Sequence, residues 1–207
     1  RVLFRSDIEP GLADRLPTGV PYKIAARKTN LRLVGDEPRI APLAASPGVP
    51  NANVFRTFAR NPPADALRNA VGRHIRDENS LSPRARELLI LRIGVLCRSE
   101  YEWAAHLRIG RQAGMNDADV ARIVAGPASK RGEDLDTWLL RAVDELHRDN
   151  GVADGTWSAL AAKLTLPQFL DTLVTVGGFR SATYAINSAG VQLDANMADF
   201  RFPAALR

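Results

Sequence analysis

RARELLILRIGVLCRSEYEWAAHLRIGRQAG, residues 84–114, decides the fold. Ser82-Pro83 just before it opens a helix, with proline at the first helical position, where its missing N–H is not needed. Leu88, Leu89, Leu91, Ile93, Val95 and Leu96 make that helix apolar nearly all round, which predicts a central element. Glu87 stands in this apolar run. It is either ion-paired to Arg84 or Arg92, or a carboxyl whose burial favours its protonated form. A second helix follows to about Ala113 and ends at Gly114, a suitable left-handed terminator. Ser99 and Glu102 fit a capping box at its start. Glu102 and His106 are also four residues apart, so their side chains can meet on one face. Glu102 thus has two readings, cap or pocket. His106 has two as well: a hydrogen-bonded core residue, or an acid/base group oriented by a carboxylate.

Outward from this stretch the pattern stays helical. Val54, Phe55, Phe58 and Ala59 begin a buried face, Asn61-Pro62 restarts the chain, and Leu67, Val71 and Ile75 carry a helix over 62–77. Asn116 or Asp117 caps a short helix that Gly126-Pro127 stops. Leu135–Arg148 is amphipathic and ends at Asn150-Gly151, and Asp154 caps the next helix. The last long helix begins near Pro167, and Gly177-Gly178 within it invites a bend or a close helix contact. No strand pattern competes. The reading is an all-α bundle of about seven or eight helices over residues 53–194. Residues 7–53 are rich in proline and poor in periodicity, so 1–52 is expected to be an irregular arm, able to wrap the body or a partner subunit. RVLFRS at 1–6 has the character of a sequence-assembly artefact. Residues 195–207 are expected to be a polar tail.

The bulk numbers narrow the function. With 45% hydrophobic residues the 207-residue chain can bury a substantial core, yet no apolar run is long enough for a membrane span. No signal peptide is read at the start. A single cysteine, Cys97, rules out an internal disulfide and suits a reducing cytoplasm. The net charge of +5 comes from scattered arginines without a basic run interleaved with aromatics. Nucleic acid is therefore not the expected partner; an anionic small substrate, or merely a solvated surface, is. No HExxH or paired-histidine pattern supports a metal centre, although Glu87, Glu102 and His106 form an imaginable ligand set. No nucleophile elbow or glycine-rich phosphate loop is present. Trp103 reads as core or subunit contact, Asn187 and Gln192 as caps. His74 lies on an amphipathic helix among charged neighbours, and His147 reads as a surface cation near a helix C-terminus.

Four segments resemble one family: 53–77, SPRARELLILRIGVLCRSEYEWAAHLRIGRQAGMNDADVARI (82–123), LDTWLLRAVDELHRDNGVADGTWSALAAKLT (135–165) and QFLDTLVTVGGFRSATYAINSAGVQLD (168–194). Together they are similar to the carboxymuconolactone decarboxylase-like family and its AhpD-like all-α fold. The redox branch carries C-x-x-C-x-x-x-H, with a glutamate twelve residues before the first cysteine. Aligned on His106, the cysteine positions fall at Ser99 and Glu102, and the glutamate falls at Glu87. The glutamate is kept and both cysteines are gone. A hydroxyl and a carboxylate cannot replace a thiol pair, so dithiol peroxidase chemistry is not expected.

The resemblance implies a cofactor-independent lyase of decarboxylase type, acting on a small carboxylate or lactone. His106 would be the acid/base, Glu87 a proton relay and Glu102 its orienter. Ser99 or Tyr101 would donate to the developing oxyanion, and Arg92 would bind a substrate carboxylate. No cofactor or metal is expected. The resemblance also implies a homo-oligomer: dimer, trimer or hexamer. The competing readings are a non-catalytic binding oligomer that has lost the cysteines, and an oxidative function using Cys97 alone.

Overall fold

The computed structural model describes residues 37–127, 134–203 and 206. Most of the expected irregular arm therefore lies outside the described residues. The chain divides into two units, residues 1–31 and 32–207, and the described residues belong to the second. Eight α-helices follow in order: α1 (Asn53–Phe58), α2 (Pro62–Arg73), α3 (Pro83–Leu96), α4 (Glu100–Gln112), α5 (Asp117–Ala125), α6 (Leu135–Asp149), α7 (Asp154–Ala161) and α8 (Leu166–Ala189). A π-helical turn, His74–Glu78, extends α2, and a 3₁₀ turn, Ala195–Phe200, follows α8. The described residues contain no strand, and none of their helices is long and apolar enough to cross a membrane. The all-α bundle read from the sequence is what the chain forms.

Local chemistry sets most of the boundaries. Asn61 accepts the Ala64 N–H, Ser82 accepts the Ala85 N–H, and Asn116 with Asp119 and Thr165 with Gln168 form capping boxes. Asn150, at φ 59°, ends α6 in the left-handed conformation, as expected of the Asn-Gly pair. Asp154 does not cap α7. Ala153 holds that position, and Glu145 of α6 supplies the acceptors instead: the Ala153 N–H donates to Oε2 at 2.9 Å and the Thr156 hydroxyl to Oε1 at 2.8 Å.

Helix α3 is the axis of the fold. It packs against α4, α5, α6 and α8, and Leu88, Leu89, Ile90, Leu91 and Ile93 are all buried. Arg92, expected to bind substrate, is instead sealed among these helices. Its Nε and Nη2 donate to the two carboxylate oxygens of Asp144 at 2.6 and 2.8 Å, and Nη1 donates to the carbonyls of Ile123 and Val124. These four hydrogen bonds tie α5 and α6 to the axis.

One further finding departs from the sequence reading, and another decides between two alternatives it left open. The segment after α8 is more than a polar tail: Phe202 is buried and stacks on Trp103, ring centroids 5.6 Å apart. Helix α8 runs unbroken through Gly177-Gly178, and Gly178 serves close contact. A Cβ there would stand 2.9 Å from Val71 and 3.1 Å from Ile75. Gly126, at φ 78° and ψ −166°, occupies backbone space that only glycine enters readily, and its missing side chain leaves room for the Arg92 guanidinium. A Cβ would lie 2.7 Å from Arg92 Cζ. Gly126→Ala is therefore expected to lower unfolding free energy by about 1–3 kcal/mol, measured by chemical denaturation, whereas Gly151→Ala, with open space around it, should change it little.

Candidate active site

Helices α3 and α4 lie against one another, and their facing turns bring together the three groups singled out in the sequence. His106 Nδ1 stands 2.7 Å from Glu87 Oε2, and His106 Nε2 stands 3.5 Å from Glu102 Oε2. Arg86 Nε donates to the other Glu87 oxygen at 3.2 Å. The result is a carboxylate–imidazole–carboxylate chain with side-chain exposures of only 2%, 16% and 9% for Glu87, His106 and Glu102. Phe179 of α8 meets the imidazole edge-on, centroids 4.7 Å apart at 85°, which fixes the ring plane.

All three groups open on one cavity of about 1320 Å³. Its apolar wall includes Phe58, Ile90 and Phe179, and its polar rim is dominated by arginines. Four of these are engaged: Arg56 with Asn53 and the Leu43 carbonyl, Arg68 with Asp65, Arg76 with Asp77, and Arg86 with Glu87. Arg73 and Arg108 also line the cavity and have no ion pair among the described residues.

Burial and charge act in opposite senses along the chain of three. Burial pushes the Glu102 carboxyl up, against the pull of His106 and Arg68. Burial pulls the His106 imidazole down, but the Glu87 hydrogen bond and the charges of Glu87 and Glu102 outweigh it, so the net direction is up. Both shifts favour the protonated forms of Glu102 and His106, whose Oε2 and Nε2 lie 3.5 Å apart.

The structure disposes the remaining candidates differently. The Ser99 hydroxyl is fully buried, caps nothing, and is absent from the cavity wall. The capping box expected of Ser99 and Glu102 does not form, because Glu102 turns toward His106. Tyr101 lines the cavity, but its hydroxyl proton goes to Asp194 at 2.6 Å, and burial with the Asp194 bond pushes the phenol well up. Asn187 donates to the Cys97 carbonyl at 2.9 Å and Gln192 to the Gly190 carbonyl at 2.8 Å, the capping roles expected. Trp103 is core. Cys97 Sγ lies 3.8 Å from His147 Nδ1 and outside the cavity, and burial pushes its thiol up. His147 is not the cation expected: burial and Arg180 pull it down. His74 is pushed up by its 2.7 Å contact with Asp171.

The sequence reading missed Arg68, Arg73, Phe179 and Asp194. Phe179 and His106 are far apart along the chain, and no periodicity signals such a contact.

Residues 62–145 match the Carboxymuconolactone decarboxylase family. No curated protein matches. Solved structures with the same fold include an uncharacterized peroxidase-related protein from Silicibacter (TM-score 0.64, 16% identity, covering 81% of this chain and 99% of that one). The alkylhydroperoxidase AhpD core of an uncharacterized peroxidase-related protein from Ralstonia eutropha gives 0.62 and 16%, covering 70% and 78%. A protein of unknown function from Agrobacterium tumefaciens, a candidate antioxidant defence protein AhpD, gives 0.61 and 16%, covering 67% and 95%. The fold is AhpD-like.

The pKa directions predict the histidine titrations. In a proton NMR titration, His106 and His74 should change protonation above pH 6.5, the ordinary value, and His147 below it. Because the folded state holds the His106 proton more tightly than the unfolded chain, its stabilisation is complete below pH 6.5. It should fade as pH rises through the folded value, and His106→Gln should flatten that part of the stability profile.

Proposed function

We propose that this protein is a cofactor-independent lyase of decarboxylase type, acting on a small carboxylate or lactone by proton transfer from the His106–Glu102 pair. One observation carries the reading: a buried carboxylate–imidazole–carboxylate chain faces an apolar cavity whose rim holds two arginines with no ion pair among the described residues. Arg73 and Arg108 take the place first given to Arg92 and hold the substrate carboxylate that does not react. Apolar walls favour loss of the reacting carboxylate, because that charge is less well solvated there than in water. The carbon–carbon bond breaks, its electron pair remains on the substrate as an enolate, and carbon dioxide leaves. A proton from the His106–Glu102 pair goes to that carbon, and water restores it. Glu87 holds the imidazole through Nδ1 and balances its charge, as a positioning residue. Glu102 is a proton donor in its own right, beyond the orienting role read from its spacing.

Thiol peroxidase chemistry finds no support here. The positions of the cysteine pair are Ser99 and Glu102, and Cys97 is the chain's one thiol. A second reading, a non-catalytic binding protein, is favoured by one observation: neither Ser99 nor Tyr101 has a free donor in the cavity to support an oxyanion.

The two readings part on a panel of carboxylated lactones and β-keto acids, with carbon dioxide release followed. His106→Gln and Glu102→Gln should each lower kcat by a factor of about 10²–10⁴. Arg73→Ala and Arg108→Ala should act mainly on KM, and Cys97→Ser should leave turnover unchanged. Turnover that survives His106→Gln, or none with any substrate that binds, would sink the lyase reading.

A further inference from the structure

Loss of a carboxyl group as carbon dioxide leaves an electron pair that comes to rest on a substrate oxygen. Catalysis of that step needs donors fixed in place before the charge appears. Neither Ser99 nor Tyr101 offers one. Arg68 of α2, which lines the same cavity, does. One turn of α2 fixes its guanidinium. Nε and Nη2 donate to Asp65 Oδ1 at 3.2 and 2.6 Å, and Nη2 donates also to Asn69 Oδ1 at 2.8 Å. Asn69 Nδ2 donates in turn to Asp65 Oδ2 at 3.0 Å, which closes the triangle. Helix α1 adds a second support. Arg68 Cζ lies 4.7 Å from the centroid of the Phe55 ring and 5.0 Å from that of Phe58, both within cation–π range.

These contacts use the N–H donors of Nε and Nη2 and leave those of Nη1. Nη1 has no acceptor among the described residues, and it is open to the cavity. The other rim arginines are placed differently. Arg86 gives Nε to Glu87 and Nη1 to the carbonyls of Ile75 and Arg76. Arg56 is held by Asn53 and the Leu43 carbonyl, and Arg76 pairs with Asp77. Arg73 and Arg108 have no ion pair among the described residues, which suits them to follow an incoming carboxylate and not to await a developing charge. Arg68 also acts on the proton donor. Burial pushes the Glu102 carboxyl up, and the charges of His106 and Arg68 oppose it.

We propose that Arg68 is the oxyanion-binding residue of the cavity, with Nη1 donating to the substrate oxygen that becomes the enolate. The substrate class that fits is a β-keto acid or an α-carboxylated lactone. The pair from the broken carbon–carbon bond forms a carbon–carbon double bond, and the carbonyl oxygen takes the charge beside Nη1. When a proton from the His106–Glu102 pair reaches the carbon, the carbonyl re-forms and Nη1 releases it. The part in the reaction rests on the lyase reading; the capacity to bind a planar oxyanion rests on the guanidinium's setting alone.

Oxalate is the probe, a planar dianion in which one carboxylate stands for the enolate, and its binding is followed by calorimetry. Arg68→Met should weaken oxalate binding at least about ten-fold. Helix α2 has no buried residue, so the substitution opens no core. Arg68→Lys keeps the charge without the planar edge and should recover only part of the affinity. With turned-over acids, Arg68→Met should lower kcat by a factor of about 10²–10³ and change KM little. Asp65→Ala leaves the guanidinium but unfastens it, and should lower kcat about ten-fold. Arg148→Ala, which removes an exposed charge outside the cavity, should change neither. Oxalate binding that survives Arg68→Met, or wild type that binds no oxalate at millimolar concentration, would overturn the proposal. Wild-type affinity in Arg68→Lys would overturn it too, since charge without the fixed edge would then suffice. An unchanged kcat in Arg68→Met would do the same while leaving the lyase reading standing on its turnover. Absence of turnover with every acid, alongside oxalate binding lost in Arg68→Met, would end the lyase reading and leave Arg68 as an oxyanion site.

Discussion

A charge buried on every side cannot stand without a partner, and α3 carries two that are buried, Glu87 and Arg92. A bare carboxylate or guanidinium in such a place would cost several kcal/mol. Arg92 is answered by Asp144 and two carbonyls, and Glu87 by His106 and Arg86. The two solutions differ in kind. The first is closed, with the strong donors consumed by neighbours that never leave. The second is open, because an imidazole can pass on what it receives. The same demand, charge compensation within an apolar axis, thus yields a structural clamp on one side and a proton-bearing group on the other.

Much of this was legible in the sequence. Apolar enclosure from Leu88 to Ile93 marked the axis, and the i, i+4 relation of Glu102 and His106 placed both on one face. What the sequence left open was direction. Arg92 and Arg86 lie on the same helix as Glu87, and only the packing of α5 and α6 decides which guanidinium turns away. Ser99 and Glu102 satisfy a capping pattern equally well, but a buried imidazole nearby draws the carboxyl away from the helix end. Contacts between distant segments, such as Tyr101 with Asp194 or Phe202 on Trp103, leave no local imprint.

Set beside structures described as peroxidase-related, the chain shares the fold. A carboxyl at position 102 can exchange protons but not electrons, and position 99 is shut into the core. Glu87 and His106 lie 2.7 Å apart and can exchange a proton.

The way Glu145 reaches from α6 to the start of α7 bears on how the polypeptide can be altered. Because the receiving amide at Ala153 and the hydroxyl of Thr156 are gripped by a side chain of the preceding helix, the relative register of these two helices is set by that grip and not by the length of the link between them. Extra residues spliced between Asn150 and Val152 would bulge outward while the hairpin kept its alignment, which makes this link a natural place to graft a reporter peptide.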